Sequence, residues 1–589
     1  MYEAIFQYTI CAMQKQLSQL IETFTYESIS DSSINPIISS LAFDSRNVKL
    51  GSLFFALPGT HVHGNAFIAK AIEKGAVAII YQDDLPNEAL LAASQYENVN
   101  RCLGTANFGA SMDQEMDLNA IFGPVVFIKV KDSRFTMSPV ADAFYDTPSS
   151  KLCIIGITGT EGKSSTVSII WQLLLLSGKK AGFISTVQYS LGDRAIDNPE
   201  HQTTPEAPII QEKLFQMVQN DCEYAVIESS SHGLSLKTNR CGNIRYDAVA
   251  VMNVTHEHLE FHGSLTQYAS DKANLFKSLD LYHHDKVIRG KKIAVPSFGV
   301  VNDEDHIARS FSQETSKPVF AITTFGKAGG KAKVPDKSGL PCLEAHNIVP
   351  VKNGNFFDLK GTDFLSETLN VFIPLPGAFN IYNVMTALII VSKILQKPIT
   401  DYSASIRRLI PIKGRMTEIN KGQPFEVIID YAHTPSSFST IYPPIRDRAK
   451  GKIISVFGSG GNRDIKKRPE QGAIAAQYSD IVILTDEDPR DEDSIALLGM
   501  IAEGCRNPYS FGVCQGTELH CDASDSALFL IPDRPTAIRK AFSLAQKDDI
   551  VLLLGKAHEN SIIYSDYTMP YDEITEAYAA LAEIGYKEG

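Results

Sequence analysis

The sequence lacks several features that would place it in a specialised class of protein. No run of 18 apolar residues occurs among its 589 residues, so no transmembrane helix is expected. The first residues contain neither a basic segment nor a clean apolar one, so no secretory signal is expected. Nine cysteines are scattered without a C-x-x-C pair, which predicts reduced thiols in a cytoplasmic protein rather than disulfides or a zinc site.

Basic residues are also in the minority. The chain has 55 Lys and Arg residues against 68 Asp and Glu residues, and its net charge is −13. This balance argues against nucleic acid or an anionic membrane as a partner, while local basic pockets for phosphates remain compatible with it. The length is too great for one core and predicts about two to four domains.

Strand-like and helix-like segments alternate along most of the chain, which predicts an α/β protein. We divide it into three units, at residues 1–150, 151–412 and 413–589. The third unit has strand-like segments at 426–429, 452–456, 481–485 and 550–554 separated by helical segments, which predicts a parallel, Rossmann-like sheet. Residues 326–340 are rich in Gly and Lys and are expected to form an exposed insertion loop.

The strongest motif is the glycine-rich run Gly159-Thr-Glu-Gly-Lys-Ser164, which follows an apolar segment and precedes a helical one. Such a loop presents backbone N–H groups to phosphate oxygens, and the helix N-terminus adds positive potential. Lys163 can reach the β- and γ-phosphates, and Ser164 can offer a hydroxyl to Mg²⁺. The run is one residue shorter than the usual phosphate loop. A chance match is the alternative, which the flanking strand and helix disfavour.

Polar residues follow two other strand-like segments, at 228–233 and 253–258. Ligands of open α/β sheets bind at the carboxyl ends of the strands, so these residues are expected near the phosphate loop. Glu228 is the candidate ligand of Mg²⁺, and His258 that of a second ion. For His232 a hydrogen-bonded turn histidine is an equal alternative to a catalytic role. The chain lacks the base-recognition and catalytic motifs of GTPases and protein kinases.

Six motifs together resemble one family. They are Asp44–Arg46, Gly159–Ser164, Thr203–Pro205, Glu228–Gly233, Asp430–Pro435 and Gly555–Glu559. Their order is similar to that of the Mur ligases of peptidoglycan synthesis, and in particular to the members that add the third amino acid. The resemblance covers residues 41–580. It implies a UDP-sugar-binding unit, a central P-loop ATPase-like unit and a C-terminal amino-acid-binding unit.

The reaction that the resemblance implies adds a diamino acid to the D-Glu γ-carboxyl of UDP-MurNAc-L-Ala-D-Glu, through an acyl phosphate and at the expense of ATP. The implied catalytic residues are Lys163, Glu228, His258 and Lys272. Lys272 matches a family lysine that CO₂ converts to a carbamate, and an exposed helix lysine is the plain alternative. The implied Mg²⁺ ligands are Ser164, Glu228, His258 and carbamylated Lys272.

The resemblance also assigns binding residues. ATP contacts are expected from Gly159, Thr160, Glu161, Gly162, Lys163, Ser164, Ser165, Asn380, Arg415 and Asp430, with His433 nearby. For Asp430 a strand-end turn residue is the alternative. Contacts to the UDP-MurNAc-peptide are expected from Ser45, Thr60, His61, Val62, Thr203, Thr204 and Ser230. The family's Gln-x-Arg segment has no clear equivalent here, and Arg240 is its only candidate substitute.

Amino-acid contacts are expected from Arg463, Asp488, Arg490, Gly555 and Glu559. Arg490 could clamp a distal carboxylate, whereas Asp488 stands where the family has asparagine and would favour a distal ammonium. An internal ion pair is the alternative role for Arg490. Diaminopimelate, lysine and ornithine therefore all stay open as the third amino acid.

Two other functions remain in competition. One is a ligase similar to folylpolyglutamate synthetase, for which the unit around Asp44–Arg46 would have no purpose. The other is a non-catalytic paralogue that binds nucleotide, which the intact Lys163, Glu228, His258 and Lys272 disfavour. The leading interpretation is a monomeric enzyme with small-molecule substrates and no membrane insertion.

Overall fold

The computed structural model describes residues 13–59, 62–94, 124–200, 202–255, 257, 259–327, 339–361, 363–506, 512–515 and 527–586. Three of the predicted site residues, Thr60, His61 and His258, lie outside these ranges. Most of the predicted insertion loop, at 328–338, lies outside them too.

The first unit is built around a five-stranded sheet with the order β2-β7-β6-β5-β4. The strands of this unit are β1 (Lys15–Gln16), β2 (Ser28–Ile29), β3 (Ile37–Ile38), β4 (Ser40–Ala42), β5 (Ser52–Phe55), β6 (Ala76–Tyr81) and β7 (Val126–Lys129), of which β1 and β3 pair separately. Its helices are α1 (Leu17–Ile21), α2 (Ile68–Glu73) and α3 (Ser133–Phe144). Strands β4 to β7 run parallel, and every residue of β6 is buried, which explains its uninterrupted apolar sequence.

The central unit contains an eleven-stranded sheet with the order β11-β10-β9-β12-β8-β13-β16-β17-β18-β19-β20. The strands of this unit are β8 (Cys153–Thr158), β9 (Ala181–Ile184), β10 (Gln188–Ser190), β11 (Ile196–Asp197), β12 (Tyr224–Glu228), β13 (Ala248–Val251), β14 (Asp285–Ile288), β15 (Lys291–Ala294), β16 (Phe298–Asn302), β17 (Val319–Lys327), β18 (Cys342–Val351), β19 (Gly354–Lys360) and β20 (Leu369–Ile373). Strands β14 and β15 form a separate hairpin.

Helices cover both faces of the central sheet and leave one apolar core on each side. They are α4 (Lys163–Leu176), α5 (Ala207–Gln219), α6 (Ser231–Leu234), α7 (Leu259–His262), α8 (Leu265–Lys277), α9 (His306–Ser310), α10 (Phe379–Leu395) and α11 (Ser403–Ile406). Most residues of helix α10 are buried, and the helix packs on α4. Among the described residues no single helix is long and apolar enough to cross a membrane. Helix α10 and the segment Ile399–Ile406 reach that length and composition only together, and the chain bends by 116° between them.

The third unit has a seven-stranded sheet with the order β21-β22-β27-β23-β24-β26-β25, in which β21 pairs antiparallel with β22 and all other neighbours run parallel. Strands β28 and β29 form a separate hairpin. The strands of this unit are β21 (Thr417–Ile419), β22 (Glu426–Asp430), β23 (Ile453–Phe457), β24 (Ile481–Leu484), β25 (Gly512–Gln515), β26 (Ala527–Leu530), β27 (Ile550–Leu554), β28 (Ser561–Ile563) and β29 (Thr568–Pro570), and its helices are α12 (Pro435–Arg448), α13 (Lys467–Tyr478), α14 (Ser494–Arg506), α15 (Arg534–Leu544) and α16 (Glu573–Glu583).

The expected α/β class is confirmed. One large sheet falls within each of the three predicted units, whose boundaries stay predictions. Register in the central sheet brings the polar strand ends together, because β8 pairs with β12 on one side and β13 on the other. Glu228 lies opposite Ile157, and Val251 lies opposite Thr158, so the segments that follow these strands surround the glycine-rich loop.

Candidate active site

The glycine-rich loop has a backbone that only glycine adopts without strain at two positions. Gly159 has φ 147° and Gly162 has φ 83°. A Cβ at Gly159 would lie 2.9 Å from Cβ of Met252, and one at Gly162 would lie 2.7 Å from Oδ1 of Asn383. Helix α4 begins directly after the loop, at Lys163. Its N-terminus therefore faces the space above the loop.

Asn253, at the end of β13, holds the loop in this shape. Its Oδ1 accepts hydrogen bonds from the backbone N–H groups of Thr160 (3.0 Å) and Glu161 (2.8 Å). The Lys163 ammonium donates to the carbonyl of Thr160 at 2.7 Å. Asn253 begins the polar segment 253–258, in which sequence reasoning assigned a role to His258 alone. The signal was present, since Asn253 is a polar residue directly after a buried strand.

A cavity of about 230 Å³ lies above this loop, between the central and third units. The third unit contributes Arg415, Asp430 and the first turns of α12 to its wall. The remaining lining residues include Glu161, Gly162, Ser164, Ser165, Met252, Asn253, Asn302, Phe379, Tyr382 and Asn383. Its hydroxyl and amide groups and one guanidinium can bind phosphates, two aromatic rings can pack on a base, and the carboxylates of Glu161 and Asp430 complete a lining suited to a nucleoside triphosphate.

Arg415 and Asp430 are held in place by the third unit itself. The Arg415 guanidinium stacks 4.8 Å above the ring of Tyr431. Asp430 accepts backbone hydrogen bonds from Met416 and Ala432, both at 2.8 Å. Burial raises the pKa of Asp430, and the charge of Arg415 opposes that rise. The structure thus gives Asp430 a strand-end bonding role as well as a place in the cavity wall.

Asn380 is placed one layer behind the wall of this cavity. Its side chain donates to the carbonyl of Pro376 at 2.6 Å and accepts from Asn383 at 2.9 Å. Asn383, one helical turn further along α10, lines the cavity instead. Tyr382 also lines it, with its hydroxyl on the carboxylate of Glu304. Sequence reasoning missed both cavity residues, although they lie two and three residues after Asn380.

Glu161 lies at the contact between the loop and the third unit. Thr434, the N-cap residue of α12, donates its hydroxyl to Oε1 of Glu161 at 3.2 Å. Burial raises the pKa of Glu161 to about 7, with a further upward effect from Glu257, while Arg415 and Lys163 oppose the rise. His433 next to this contact has its pKa lowered to about 4, because burial and the nearby Lys467 both disfavour the imidazolium.

Lys272 is buried on α8, with 1% of its surface exposed, which contradicts its alternative as an exposed helix lysine. Its ammonium donates to the carbonyl of Gly159 at 2.7 Å and lies 4.4 Å from the ring centre of Tyr268. Burial lowers the pKa of Lys272 well below its ordinary value, the charge of Lys163 lowers it further, and Glu257 and Glu228 oppose this. The structure thus brings Lys272 and the glycine-rich loop together.

Glu228 ends β12 with 1% of its surface exposed. Its carboxylate accepts from the backbone N–H of Thr186 at 2.9 Å and from the Thr186 hydroxyl at 3.0 Å. A carboxylate and a serine hydroxyl are oxygen donors of the kind that Mg²⁺ prefers. Glu228 and Ser164 therefore fit the predicted metal.

The predicted amino-acid site centres on Lys556, which sequence reasoning left unassigned. This buried ammonium donates to Oδ1 of Asp488 at 2.8 Å and also to Oε2 of Glu559. Asp488 accepts from the backbone N–H of Ile563 as well, at 3.0 Å. Burial lowers the pKa of Lys556, but Glu559 and Asp488 outweigh it, and the net shift is upward.

The other residues of this site are distributed around that cluster. Gly555 has φ 97°, and a Cβ there would lie 2.8 Å from Oε2 of the buried Glu487. Arg490 has φ 54° and bonds through its backbone N–H to the carbonyl of Ile563 at 2.9 Å. Arg463 is exposed on the loop after β23.

The predicted UDP-sugar-peptide residues fall into two groups. Thr204 and Ser230 meet behind β12, where the Thr204 hydroxyl accepts from the backbone of Ser230 at 2.9 Å and donates to the carbonyl of Glu228 at 3.0 Å. Arg240 donates to the carbonyl of Thr204 at 2.9 Å. Thr203 precedes this group and is partly exposed. In the first unit Ser45 is buried, whereas Val62 is 54% exposed.

Family models match this chain in three places. A Mur ligase middle domain matches residues 157–391, a Mur ligase glutamate ligase domain matches 414–557, and a Mur ligase family catalytic domain matches 37–104. The chain belongs to the Mur ligase family. It is an ATP-dependent amide-bond ligase, as the loop, the cavity and these matches together require.

Individual relatives extend over nearly the whole chain. A UDP-N-acetylmuramyl-tripeptide synthetase of Treponema denticola is 48% identical over 92% of this chain and 93% of its own length. A UDP-N-acetylmuramoyl-L-alanyl-D-glutamate–2,6-diaminopimelate ligase of Geobacillus thermodenitrificans is 33% identical over 93% of this chain and 96% of its own. A solved structure of a ligase with the latter name has a TM-score of 0.55 at 22% identity, covering 97% of this chain and 99% of its own, which shows a shared fold.

Proposed function

We propose that this chain joins a diamino acid to the D-Glu γ-carboxyl of UDP-MurNAc-L-Ala-D-Glu and splits ATP to ADP and phosphate. The observation that carries the proposal is the nucleotide cavity, whose wall combines the glycine-rich loop with Arg415 and Asp430 of the amino-acid-binding unit. The names of the two full-length relatives support the choice of substrate. That full-length similarity also favours this reaction over a ligase similar to folylpolyglutamate synthetase.

A carboxylate resists attack by an amine, so the γ-carboxyl is first phosphorylated. The γ-phosphoryl group passes from ATP to a carboxylate oxygen, and the amine then displaces phosphate from the acyl phosphate. Lys163 and Arg415 are the cations that can stabilise the charge on the transferred group. Closure of the third unit on the central one would bring amine and acyl phosphate together, because their binding residues lie on separate units.

Magnesium is proposed to bind between Ser164, Glu228, His258 and carbamylated Lys272, where it would shield the charge of the phosphates. The buried position and lowered pKa of Lys272 support the carbamate, since only the neutral amine attacks CO₂. In that step a bond forms between Nζ and the carbon, one C–O π bond breaks, and the nitrogen loses a proton. The resulting anion replaces a buried amine beside the carbonyl of Gly159.

The choice of third amino acid depends on the cluster of Asp488, Lys556 and Glu559. Two carboxylates share one ammonium in this cluster, so it retains a negative charge. We infer that this charge favours a substrate with a distal ammonium, while Arg490 is available for a carboxylate. Lysine and ornithine are then preferred to diaminopimelate, which carries an additional carboxylate beside its distal amine.

A phosphate-release assay with purified protein tests the proposal. Release should require ATP, Mg²⁺, UDP-MurNAc-L-Ala-D-Glu and an amino acid together, and hydroxylamine should trap the acyl phosphate as a hydroxamate. Failure to form the hydroxamate would refute the reaction. A non-catalytic paralogue would bind ATP and release no phosphate.

A panel of lysine, ornithine and diaminopimelate then tests the amino-acid choice. Asp488→Asn should lower kcat/KM for lysine and ornithine at least about tenfold more than for diaminopimelate, since it removes the excess negative charge. Asp491→Asn, at an exposed acid three residues further on, is the matched control. An equal effect of Asp488→Asn on all three substrates would contradict the charge argument.

The proposal includes a cytoplasmic location and action as a monomer. Both agree with small, soluble substrates. Size-exclusion chromatography with light scattering tests the monomer: a mass near 64.7 kDa is expected.

A further inference from the structure

Three segments of the central unit meet around one buried imidazole, that of His262. Its Nδ1 lies 2.7 Å from Oδ2 of Asp271, and its Nε2 lies 3.1 Å from Oγ of Ser231. Gln267 donates to the other oxygen of Asp271 at 3.1 Å. Ser231, His262 and Asp271 are each at most 4% exposed, so the three side chains form a closed hydrogen-bonded chain.

The chemistry of the partners fixes the direction of these bonds. An ionised Asp271 can only accept, so Nδ1 of His262 is the donor to it. In the neutral tautomer Nε2 then accepts from the hydroxyl of Ser231. The order Ser, His, Asp is that of a hydrolase triad, but the burial of Ser231 keeps substrates away from its hydroxyl. These hydrogen bonds therefore serve to hold the three side chains, and the segments that carry them, in fixed positions.

Each member stands next to a group with a predicted role in binding Mg²⁺. Ser231 begins α6, three residues after Glu228. Asp271 precedes Lys272 on α8, and His262 ends α7, four residues after position 258. Tyr268 packs edge-on against His262 at 5.1 Å, and its hydroxyl lies 3.1 Å from that of Thr160 in the glycine-rich loop.

We propose that His262 is a positioning residue for the metal-binding groups: by bridging Ser231 and Asp271 it fixes the strand end that carries Glu228 against the helix that carries Lys272. The proposal rests on the proposed function for the role of those two groups. Ligands on separate segments need such support, because second-layer hydrogen bonds set the orientation of metal ligands. A displacement of about 1 Å can lower the rate about a hundredfold.

The test compares His262→Asn and the milder Ser231→Ala with the matched control His284→Asn. His284 also bonds to a buried aspartate, with Nδ1 3.0 Å from Oδ1 of Asp247, and its Nε2 donates to the carbonyl of Leu279 at 2.9 Å. It lies at the β14 hairpin, outside the cavity lining. The control therefore removes a His–Asp bond at a half-buried histidine, which contacts the turn after α8 rather than the residues beside Glu228 or Lys272.

Two readouts do not require turnover. Protein equilibrated with ¹³C-bicarbonate should show a carbamate carbon resonance that Lys272→Ala lacks, and Mn²⁺ binding in the presence of ATP can be followed by electron paramagnetic resonance. His262→Asn should weaken Mn²⁺ binding at least about tenfold and reduce the carbamate signal. Ser231→Ala should weaken Mn²⁺ binding about threefold and reduce the carbamate signal less. His284→Asn should leave both unchanged.

Turnover adds a third readout, in which His262→Asn should lower kcat at least about tenfold with the KM for ATP within about twofold. Folded variants of His262 and Ser231 with wild-type Mn²⁺ binding would overturn the proposal, as would equal losses in His284→Asn. Absence of phosphate release by the wild type refutes the proposed function instead, and the Mn²⁺ comparison still decides the role of His262.

Discussion

Glu161 places a carboxylate inside a phosphate-binding loop. Its replacement by glutamine should change how folding stability and ATP binding depend on pH. Its pKa is about 7 in the folded protein, against an ordinary value of 4.5, chiefly because of burial. The folded state therefore holds the proton more tightly than the unfolded state. The resulting stability is present below pH 4.5 and is lost as the pH rises towards 7.

The size of the effect follows from that shift. If Glu161 were fully buried, the protein would lose about 3 kcal/mol of folding stability at high pH, at about 1.4 kcal/mol per pKa unit. Glu161 keeps some exposure, and part of the loss precedes pH 5.5, so about 1 to 2 kcal/mol is expected between pH 5.5 and 8.5. Glutamine can still accept the hydrogen bond from Thr434 but does not titrate.

The assay is the difference in Tm between Glu161→Gln and wild type at the two pH values. This difference should become more positive at pH 8.5 by roughly 2 to 8 °C, using about 2–4 °C per kcal/mol. Glu367→Gln, at an exposed glutamate of the same unit, is the control. The KM for ATP should also fall in Glu161→Gln at pH 8.5 and match the wild type at pH 5.5. A Tm difference that is constant or falls with pH would refute the reasoning.

Three further predictions concern single residues. Lys163→Ala should abolish phosphate release, because it removes the cation at the phosphates; Lys180→Ala is the exposed control, and normal release by Lys163→Ala would refute the loop assignment. Lys272→Ala should lose activity that added short-chain carboxylic acids partly restore, whereas full activity without rescue would remove the carbamate. Arg534→Met should destabilise the third unit by about 3–5 kcal/mol in denaturant unfolding, since it leaves the buried carboxylate of Glu573 without its cation. Arg539→Met is the more exposed control, and an equal loss of stability in that variant would contradict the argument from burial.

The folded structure also corrects the simplest interpretation of Asp488. From the sequence, its carboxylate is a free ligand for a substrate ammonium. The structure gives one of its oxygens to Lys556, 68 residues away along the chain. Selection of the amino acid therefore depends on the charge of a cluster rather than on one side chain.

The sequence by itself determined the class of fold, the glycine-rich loop and the helix that follows it. These depend on local properties: apolar periodicity, the glycines at 159 and 162, and the spacing to Lys163. Pairing between distant segments follows no such rule. Only the tertiary structure decided that Asn253 shapes the loop, that Thr434 contacts Glu161 across 273 residues, and that His262 joins three segments. Such contacts depend on how sheets and helices pack in space, which no local pattern of residues encodes.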